Sequence, residues 1–260
     1  MTTTTPGTCL ELEGRLAGPP PPGSFDEGEL EGLPDPVRRY LRGSISPGTP
    51  MAQSARFRMR GSVKLGRAWL PFRARQILAP LHGFVWAARV AGILAGSDSY
   101  GDGSGAMEWR LLGLVRVMRA EGPAVSRSSA GRAGAEAVWV PTAMLPRFGV
   151  RWTAPDPHHV TASYRVDDTD LELRYTLDED ARVRSITLER WGDPNGTGRW
   201  GLHRFEHRMT RYSTFDGVTI PSAGRAAWLV GSDRWSEGEF FRYEITDFHL
   251  VTSSASKEGS

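Results

Sequence analysis

The sequence has one cysteine and almost no lysine. Because Cys9 stands alone, the chain offers no internal disulfide framework and no cysteine cluster for zinc or an iron–sulfur centre. Only Lys64 and Lys257 are lysine among the 32 basic residues, a bias typical of a GC-rich bacterial genome. The single thiol is therefore expected to be incidental to function.

Long apolar runs are also missing. No segment approaches 18 consecutive apolar residues, and the first residues, MTTTTPGTCLELEGRL, contain no charged stretch followed by an apolar one. We therefore expect no membrane span, no signal peptide and a cytoplasmic location. The formal net charge is only +2, too small a basic surplus to neutralise many phosphates, so nucleic acid is not an expected partner.

Familiar catalytic and ligand-binding motifs are absent as well. The segment GSDSYGDGSG, residues 96–105, lacks the glutamate of a calcium loop and the lysine of a phosphate loop, although Asp98, Tyr100 and Asp102 are candidates for the rim of a site. His203 and His207 have the spacing of a helical zinc site. Their neighbours alternate as in a strand, however, where the two would lie about 13 Å apart. We expect two partly buried histidines, no metal and no cofactor.

Many segments of the sequence alternate apolar and polar residues. From Ala55 onward, Phe57 and Met59 alternate with Arg56 and Arg58, the period of a strand with one buried face. Similar segments recur to residue 251, interrupted by residues 125–144, whose Ala and Glu spacing predicts a helix. The prediction is mainly β: a curved antiparallel sheet, a half-barrel or calyx of roughly ten strands with one covering helix. A filled sandwich is the alternative.

Composition divides the chain into three parts. Residues 1–32 contain threonine repeats, a run of four prolines and an acidic stretch, which predict an extended, flexible arm. A short helix is expected near Asp35, with Pro36 in its first turn. Residues 33–252 are expected to form a single domain, and residues 253–260 a flexible tail.

Tryptophans with ionisable neighbours are the strongest candidates for a site. Tryptophan offers a large rigid surface with one hydrogen-bond donor, and desolvation beside it favours the neutral form of a carboxyl group. Glu136 is the candidate general acid, because a helix laid across the cup aims one face at the cavity. An ion pair with an arginine at the helix surface is the alternative. The candidate substrate-binding residues are Trp86, Tyr100, Trp109, Trp139, Trp191, Trp235, Arg58 and Arg75.

Arg58 and Arg75 belong to a set of alternating arginines on the first two predicted strands. If this face of the sheet is concave, the arginines form an anion-binding wall. If it is not, they form an ordinary solvated face. The sequence does not decide which face is concave.

Six segments resemble a family of bacterial proteins of unknown function: LPDPVRRYL, GSDSYGDGSGAMEWRLLGLV, AEAVWVPTAML, LERWGDP, TFDGVTIPSAGR and DRWSEGEFFRYEIT. The resemblance runs from about Leu33 to Ile245. It implies one intact domain and transfers no catalytic residue. The predicted order of strands, helix and strands is similar to that of lipoprotein carriers and other lipocalin-like cups.

These observations lead to two main functional hypotheses. A rigid aromatic cup can hold a flexible substrate near its reactive conformation and exclude water, so the first is a cofactor-independent cyclase or isomerase of secondary metabolism that acts on a hydrophobic small molecule. The second is a protein that binds a lipid or another small molecule without transforming it. A third hypothesis is an interaction domain whose arm recruits a partner. The sequence leaves the ligand and the oligomeric state open.

Overall fold

A computed structural model describes residues 9–231 and 234–252. Within these residues, thirteen strands form one antiparallel sheet. The strands are β1 (Ala55–Leu65), β2 (Ala68–Ala79), β3 (Gly83–Val90), β4 (Leu94–Gly101), β5 (Ser104–Leu111), β6 (Val115–Glu121), β7 (Arg151–Asp156), β8 (His159–Val166), β9 (Thr169–Leu177), β10 (Val183–Gly192), β11 (Gly201–Phe215), β12 (Val218–Leu229) and β13 (Glu239–Leu250). The helices are α1 (Cys9–Leu16), α2 (Asp35–Ser44), α3 (Pro123–Ala135) and α4 (Trp235–Gly238). None of these helices combines the length and apolar character needed to cross a bilayer.

The strand order places the first and last strands in the middle of the sheet. The order is β6-β5-β4-β3-β2-β1-β13-β12-β11-β10-β9-β8-β7, so two meanders meet where β1 pairs with β13. β6 and β7 follow one another in sequence but lie at opposite edges of the sheet. The segment that joins them must therefore cross the whole sheet.

α3 and three short 3-10 turns make this crossing. α3 contacts β8, β9 and β10 of one meander and β3, β4, β5 and β6 of the other. A single helix can touch both flanks because the sheet curves around it, so the covered face is the concave one, and it carries the main hydrophobic core. The predicted curved, mainly β antiparallel sheet is confirmed, whereas the described residues contain thirteen strands and four helices, of which α3 lies across the concave face.

The covering helix is shorter than predicted. α3 ends at Ala135, and 3-10 turns follow at Ala137–Trp139, Pro141–Met144 and Pro146–Phe148. The last two turns each begin with a proline, which has no backbone N–H to donate to an α-helical ladder. Proline thus converts the second half of the predicted helix into short turns.

Three strands account for the difference between the predicted ten and the observed thirteen. Most of β4 lies in the glycine-rich segment 96–105, which contains little apolar alternation. Residues 104–121 form a hairpin of two strands, β5 and β6, and the short strand β7 contains a proline. Pairing with neighbouring strands outweighs the low strand propensity of Gly, Ser and Pro in these segments.

α1 packs on the convex face of the sheet, opposite α3. Its Leu12 and Leu16 form a small buried cluster with Ile77, Ala79 and Val85. Glu13 is buried between them and accepts a hydrogen bond from Arg75 Nη1 at 2.6 Å. The described part of the predicted arm therefore contains a packed helix and is not extended throughout. Residues 1–8 and the predicted tail 253–260 lie outside the described residues, and the division into arm, domain and tail stays a prediction.

Candidate functional site

A group of polar side chains lies between α3 and the concave face of β2 to β5. In the sheet, Gln76, Trp86 and Asp98 are directly opposite one another on three consecutive strands, so their side chains share one face. α3 supplies Arg132 in its last turn and Glu136 at its end. We call Gln76, Trp86, Asp98, Trp109, Arg132 and Glu136 the polar cluster.

Hydrogen bonds and ion pairs connect the charged members of the polar cluster. Arg132 donates from Nη1 to Asp98 Oδ2 at 2.9 Å and from Nε to Glu136 Oε1 at 2.8 Å. Trp109 Nε1 donates to Asp98 Oδ1 at 3.0 Å, and Gln76 Nε2 donates to Glu136 Oε2. One arginine thus holds two carboxylates, and each carboxylate also accepts a bond from a neutral side chain.

Burial changes the acidity of Asp98. Desolvation raises the pKa of the Asp98 carboxyl, although the charge of Arg132 and the bond from Trp109 oppose the shift. The Arg132 guanidinium lies over the rings of Phe84 and Trp86, 4.5 and 5.1 Å from their centroids. Aromatic faces therefore stabilise the cation that holds the two carboxylates.

Within the described part of the chain, two polar atoms of the cluster have no hydrogen-bond partner. Trp86 Nε1 and Gln76 Oε1 are buried and unpaired within the described residues. The two residues are 4% and 3% exposed and lie directly opposite each other on β3 and β2. An unsatisfied buried group costs about 1–3 kcal/mol. Since one atom donates and the other accepts, a hydroxyl or a protonated carboxyl group placed between them would satisfy both.

An apolar row leads away from the polar cluster on the same face. Trp86 contacts Phe72 with ring centroids 5.7 Å apart, and the residues directly opposite one another from Phe72 outward form what we call the apolar track: Phe72, Val90, Leu94, Leu111 and Val115. Phe72 and Val90 are buried, Leu94 and Leu111 are half-buried, and Val115 on the edge strand β6 is exposed. The track therefore connects the cluster with the surface.

Two open clefts lie outside the polar cluster. One of about 1590 Å³ runs along β4 and β5 and reaches α1, the start of α3 and the β8–β9 turn. The other, about 560 Å³, lies between arginines of the convex face, including Arg60, Arg73 and Arg89. Two of the residues predicted from the sequence, Tyr100 and Asp102, line the larger cleft. Among the described residues, no group of three or more His, Cys, Asp and Glu is placed to hold a metal ion.

The model of the DUF6544 family, a family of unknown function, matches residues 23–240. The chain belongs to this family. The family resemblance of its sequence segments is thereby confirmed. A comparison with curated protein sequences finds no match.

Two solved structures are similar to this DUF6544 chain at low sequence identity. A LolA superfamily protein from Nitrosomonas europaea has a TM-score of 0.46 at 10% identity, with 83% of this chain and 91% of that chain covered. A DUF1329 family protein from Desulfovibrio piger has a TM-score of 0.44 at 10% identity, with 80% of this chain and 88% of that chain covered.

Three predicted site residues of this DUF6544 chain come together. Glu136, Trp86 and Trp109 all belong to the polar cluster, with the two indole rings 5.8 Å apart. The sequence offered two positions for Glu136: facing the interior of the cup, or paired with an arginine. In the structure Glu136 faces the interior and also forms an ion pair with Arg132. No observation tests its predicted role as a general acid.

The other predicted aromatic residues are dispersed. Trp139 is buried in the core, where Nε1 donates to the Pro221 carbonyl at 3.1 Å. Tyr100 donates to Asp167 Oδ2 at 2.7 Å. The remaining two rings stack under arginines: Arg127 lies 4.4 Å from Trp191, and Arg208 lies 4.0 Å from Trp235.

Arg58 and Arg75 lie outside the cup. The alternation of β1 turns Phe57 and Met59 to the concave core, so the intervening arginines point to the convex side. There Arg58 lies 3.9 Å from Asp247, and Arg75 is bonded to Glu13. Neither arginine lines the interior, which is a correction to their predicted place around the ligand.

Gln76 and Arg132 are members of the cluster that the sequence analysis missed. Gln76 occupies a position of β2 where the alternation requires an inward, apolar residue, and such an exception was a readable signal. Arg132 precedes Glu136 by four residues, the spacing of an ion pair on one helix face. Asp98 was noted as a rim residue, and the structure places it inside the cup.

Proposed function

We propose that this DUF6544 chain binds an amphipathic small molecule with its polar head at the polar cluster and its apolar body on the apolar track. The observation that carries the proposal is the unpaired donor and acceptor at Trp86 and Gln76, buried side by side. A buried polar pair without partners destabilises the fold unless something bonds to it. The track then gives the rest of the ligand an apolar path to β6.

A role in binding, with no catalytic step, is consistent with every group of the polar cluster. Arg132 forms ion pairs with both Asp98 and Glu136, so its guanidinium is fully engaged, and the free capacity of the cluster is the hydrogen bonding of Trp86 Nε1 and Gln76 Oε1. A neutral head that both donates and accepts, such as a hydroxyl or protonated carboxyl group, fits that capacity better than an anion. The ligand class is therefore a long-chain alcohol, a protonated fatty acid or a related apolar molecule.

Trp86→Phe tests the proposal, with Trp152→Phe as the matched control. The probe is 11-(dansylamino)undecan-1-ol, a long-chain alcohol with a neutral head, titrated into the full-length protein while dansyl fluorescence is followed. Trp86→Phe removes the unpaired donor, so the Kd should rise about five- to tenfold, the value of one hydrogen bond. Trp152 Nε1 already donates to the Met144 carbonyl at 2.9 Å. Trp152→Phe should therefore lower stability and leave the Kd unchanged.

Two outcomes would remove the proposal. The first is a wild-type protein that binds no probe and carries no apolar molecule in native mass spectrometry. The second is a Kd for Trp86→Phe equal to that of the wild type, because the orphaned donor would then take no part in binding. Urea unfolding of each variant shows whether a change in affinity reflects a change in fold.

A cofactor-independent cyclase or isomerase is the second candidate, and the acidity of Asp98 favours it. Because burial raises the pKa of Asp98, its protonated form is more populated than that of an exposed carboxyl group and can donate a proton. Glu136, the acid predicted from the sequence, lies on the opposite side of Arg132. Asp98→Asn and Glu136→Gln should each slow turnover of a ligand found by native mass spectrometry. If the ligand is recovered unchanged after incubation with the wild type, the protein binds it and does not transform it.

A further inference from the structure

Two neighbouring turns expose large apolar side chains. Leu112 and Leu114 in the β5–β6 turn are 67% and 78% exposed, and Ile93 in the β3–β4 turn is about half exposed. The backbone N–H of Leu112 donates to the Ile93 carbonyl at 2.7 Å, which joins the turns into one surface. Val115 and Val117 on β6 continue it. We call these five residues the apolar tip.

The backbone of the β5–β6 turn gives no reason for a leucine at its tip. Leu112 and Gly113 have φ values of 52° and 73°, a pair of left-handed residues that favours Asn or Asp followed by Gly. The chain uses Asp-Gly for the same pair of conformations in two shorter, two-residue turns: Asp102 and Gly103 have φ values of 51° and 73°, and Asp216 and Gly217 have 47° and 83°. Leucine is the costlier residue in this conformation. Its presence indicates a role outside folding.

A row of arginines lies on the convex face behind the apolar tip. Five exposed arginines and one alanine are directly opposite one another on the six strands β1 to β6: Arg60, Arg73, Arg89, Ala95, Arg110 and Arg116. We call these five arginines the arginine row. Like charges directly opposite each other destabilise a sheet.

Carboxylates compensate only part of the arginine row. Arg60 pairs with Glu244 and Arg110 with Glu108. Within residues 9–231 and 234–252, Arg73 has no ion pair and Arg89 donates to the Gly92 carbonyl at 3.3 Å, while Arg116 shares the field of Glu108 with Arg110. The row therefore presents uncompensated positive charge beside an apolar surface.

From this juxtaposition we infer that the apolar tip and the arginine row dock the chain on an anionic lipid bilayer. Arg110 and Arg116 are each two residues from a tip leucine, a separation of about 7 Å along a strand. Interfacial segments bury their apolar side chains about 5–10 Å deep, so the leucines reach the acyl boundary while the arginines stay among the headgroups. Charge complementarity selects phosphatidylglycerol or another anionic lipid. The inference stands on surface residues and does not rest on the proposed function.

The test is co-sedimentation of the full-length protein with vesicles of phosphatidylcholine, with and without phosphatidylglycerol. The wild type should bind the anionic vesicles, and added salt should weaken this binding. Leu112→Asp, which the Asp-Gly turns show to be compatible with the backbone, should weaken binding at least about tenfold. Arg73→Gln with Arg89→Gln should weaken it roughly fivefold per arginine on anionic vesicles. Leu202→Asp and the pair Arg174→Gln with Arg184→Gln, exposed positions outside the tip and row, should bind as the wild type does.

Three results would overturn the inference. One is a wild type that fails to sediment with anionic vesicles, and another is binding that Leu112→Asp leaves unchanged. The third is dimerisation of the wild type without vesicle binding, reversed by Leu112→Asp, which would make the tip an interface between copies of this chain. Vesicle binding requires no ligand in the cup, so its loss is distinguishable from a failure of probe binding in solution.

Discussion

His207 is buried beside Tyr243, with 2.8 Å between its Nε2 and the Tyr243 hydroxyl. Burial lowers the pKa of this imidazole to about 4, below the ordinary value of about 6.5. Between these two values the unfolded chain binds a proton on His207 and the folded chain does not. Protonation therefore favours the unfolded chain, and this contribution to stability is lost as the pH falls from about 6.5 to about 4.

The pH dependence of the unfolding free energy tests the lowered pKa of His207. The loss through His207 should reach about 3 kcal/mol, because one pKa unit corresponds to about 1.4 kcal/mol. His207→Gln keeps a hydrogen-bonding side chain and does not titrate in this range. Urea unfolding of the wild type and the variant, near pH 7 and near pH 4.5, isolates the contribution. Equal pH dependence in the two proteins would contradict the assignment.

The sequence was sufficient to predict which residues are candidates for the site, but not which of these residues lie next to one another in the structure. Glu136, Trp86 and Trp109 were candidates because carboxyl groups beside indoles change acidity, and they do lie together. Which of five tryptophans would meet which acid depends on the register of β2 to β5, and alternation does not determine register between strands. Trp191 and Trp235, chosen on the same grounds, lie under arginines elsewhere.

At the scale of the element, α3 depends on glycine for its approach to the sheet. A Cβ at Gly134 would overlap the Leu171 side chain, and the Gly134 carbonyl accepts a bond from Tyr164 at 3.0 Å. Close packing against the sheet thus explains a glycine at this position of the helix. Its C-terminal limit was predictable only in part, because Pro141 marks a break but not the length of the turns around it.

Gly134→Val should destabilise the protein by about 2 kcal/mol, since overpacking a filled interface costs about 1–3 kcal/mol. The control is Gly14→Ala in α1, where a Cβ meets no atom within 4 Å. That change should leave stability unchanged or raise it by up to about 1 kcal/mol. Urea unfolding measures both. Equal unfolding free energies for Gly134→Val and the wild type would show that α3 is not tightly seated.

On the scale of the whole molecule, both faces of the sheet are partly covered by helices. Removing residues 1–18 deletes α1, uncovers Ile77 and Val85, and leaves Arg75 without Glu13. Burial of one leucine contributes about 1.5–3 kcal/mol, and ordering the helix offsets part of the gain from two. Thermal unfolding should therefore show a truncated protein less stable by about 2 kcal/mol. An unchanged melting temperature would mean that α1 contributes nothing to the fold.

Architecture was predictable at this scale, but the order of strands was not. Alternation identifies strands with one buried face, and an apolar face calls for a cover, so a curved sheet and a crossing helix follow from the sequence. The pairing of β1 with β13 joins Met59 to Ile245, and no local pattern specifies a contact of that sequence separation. The same pairing places β6 and β7 at opposite edges.

That central pairing has a consequence for synthesis on the ribosome. β1 ends at Leu65, and its partner β13 is not made until the ribosome reaches Glu239. At about 5–20 residues per second, the open edge of β1 waits on the order of ten to forty seconds for its neighbour. During this interval the first meander is an unfinished sheet exposed to wrong partners. Nascent chains that stop before residue 239 should therefore be the form of this protein that most needs a chaperone.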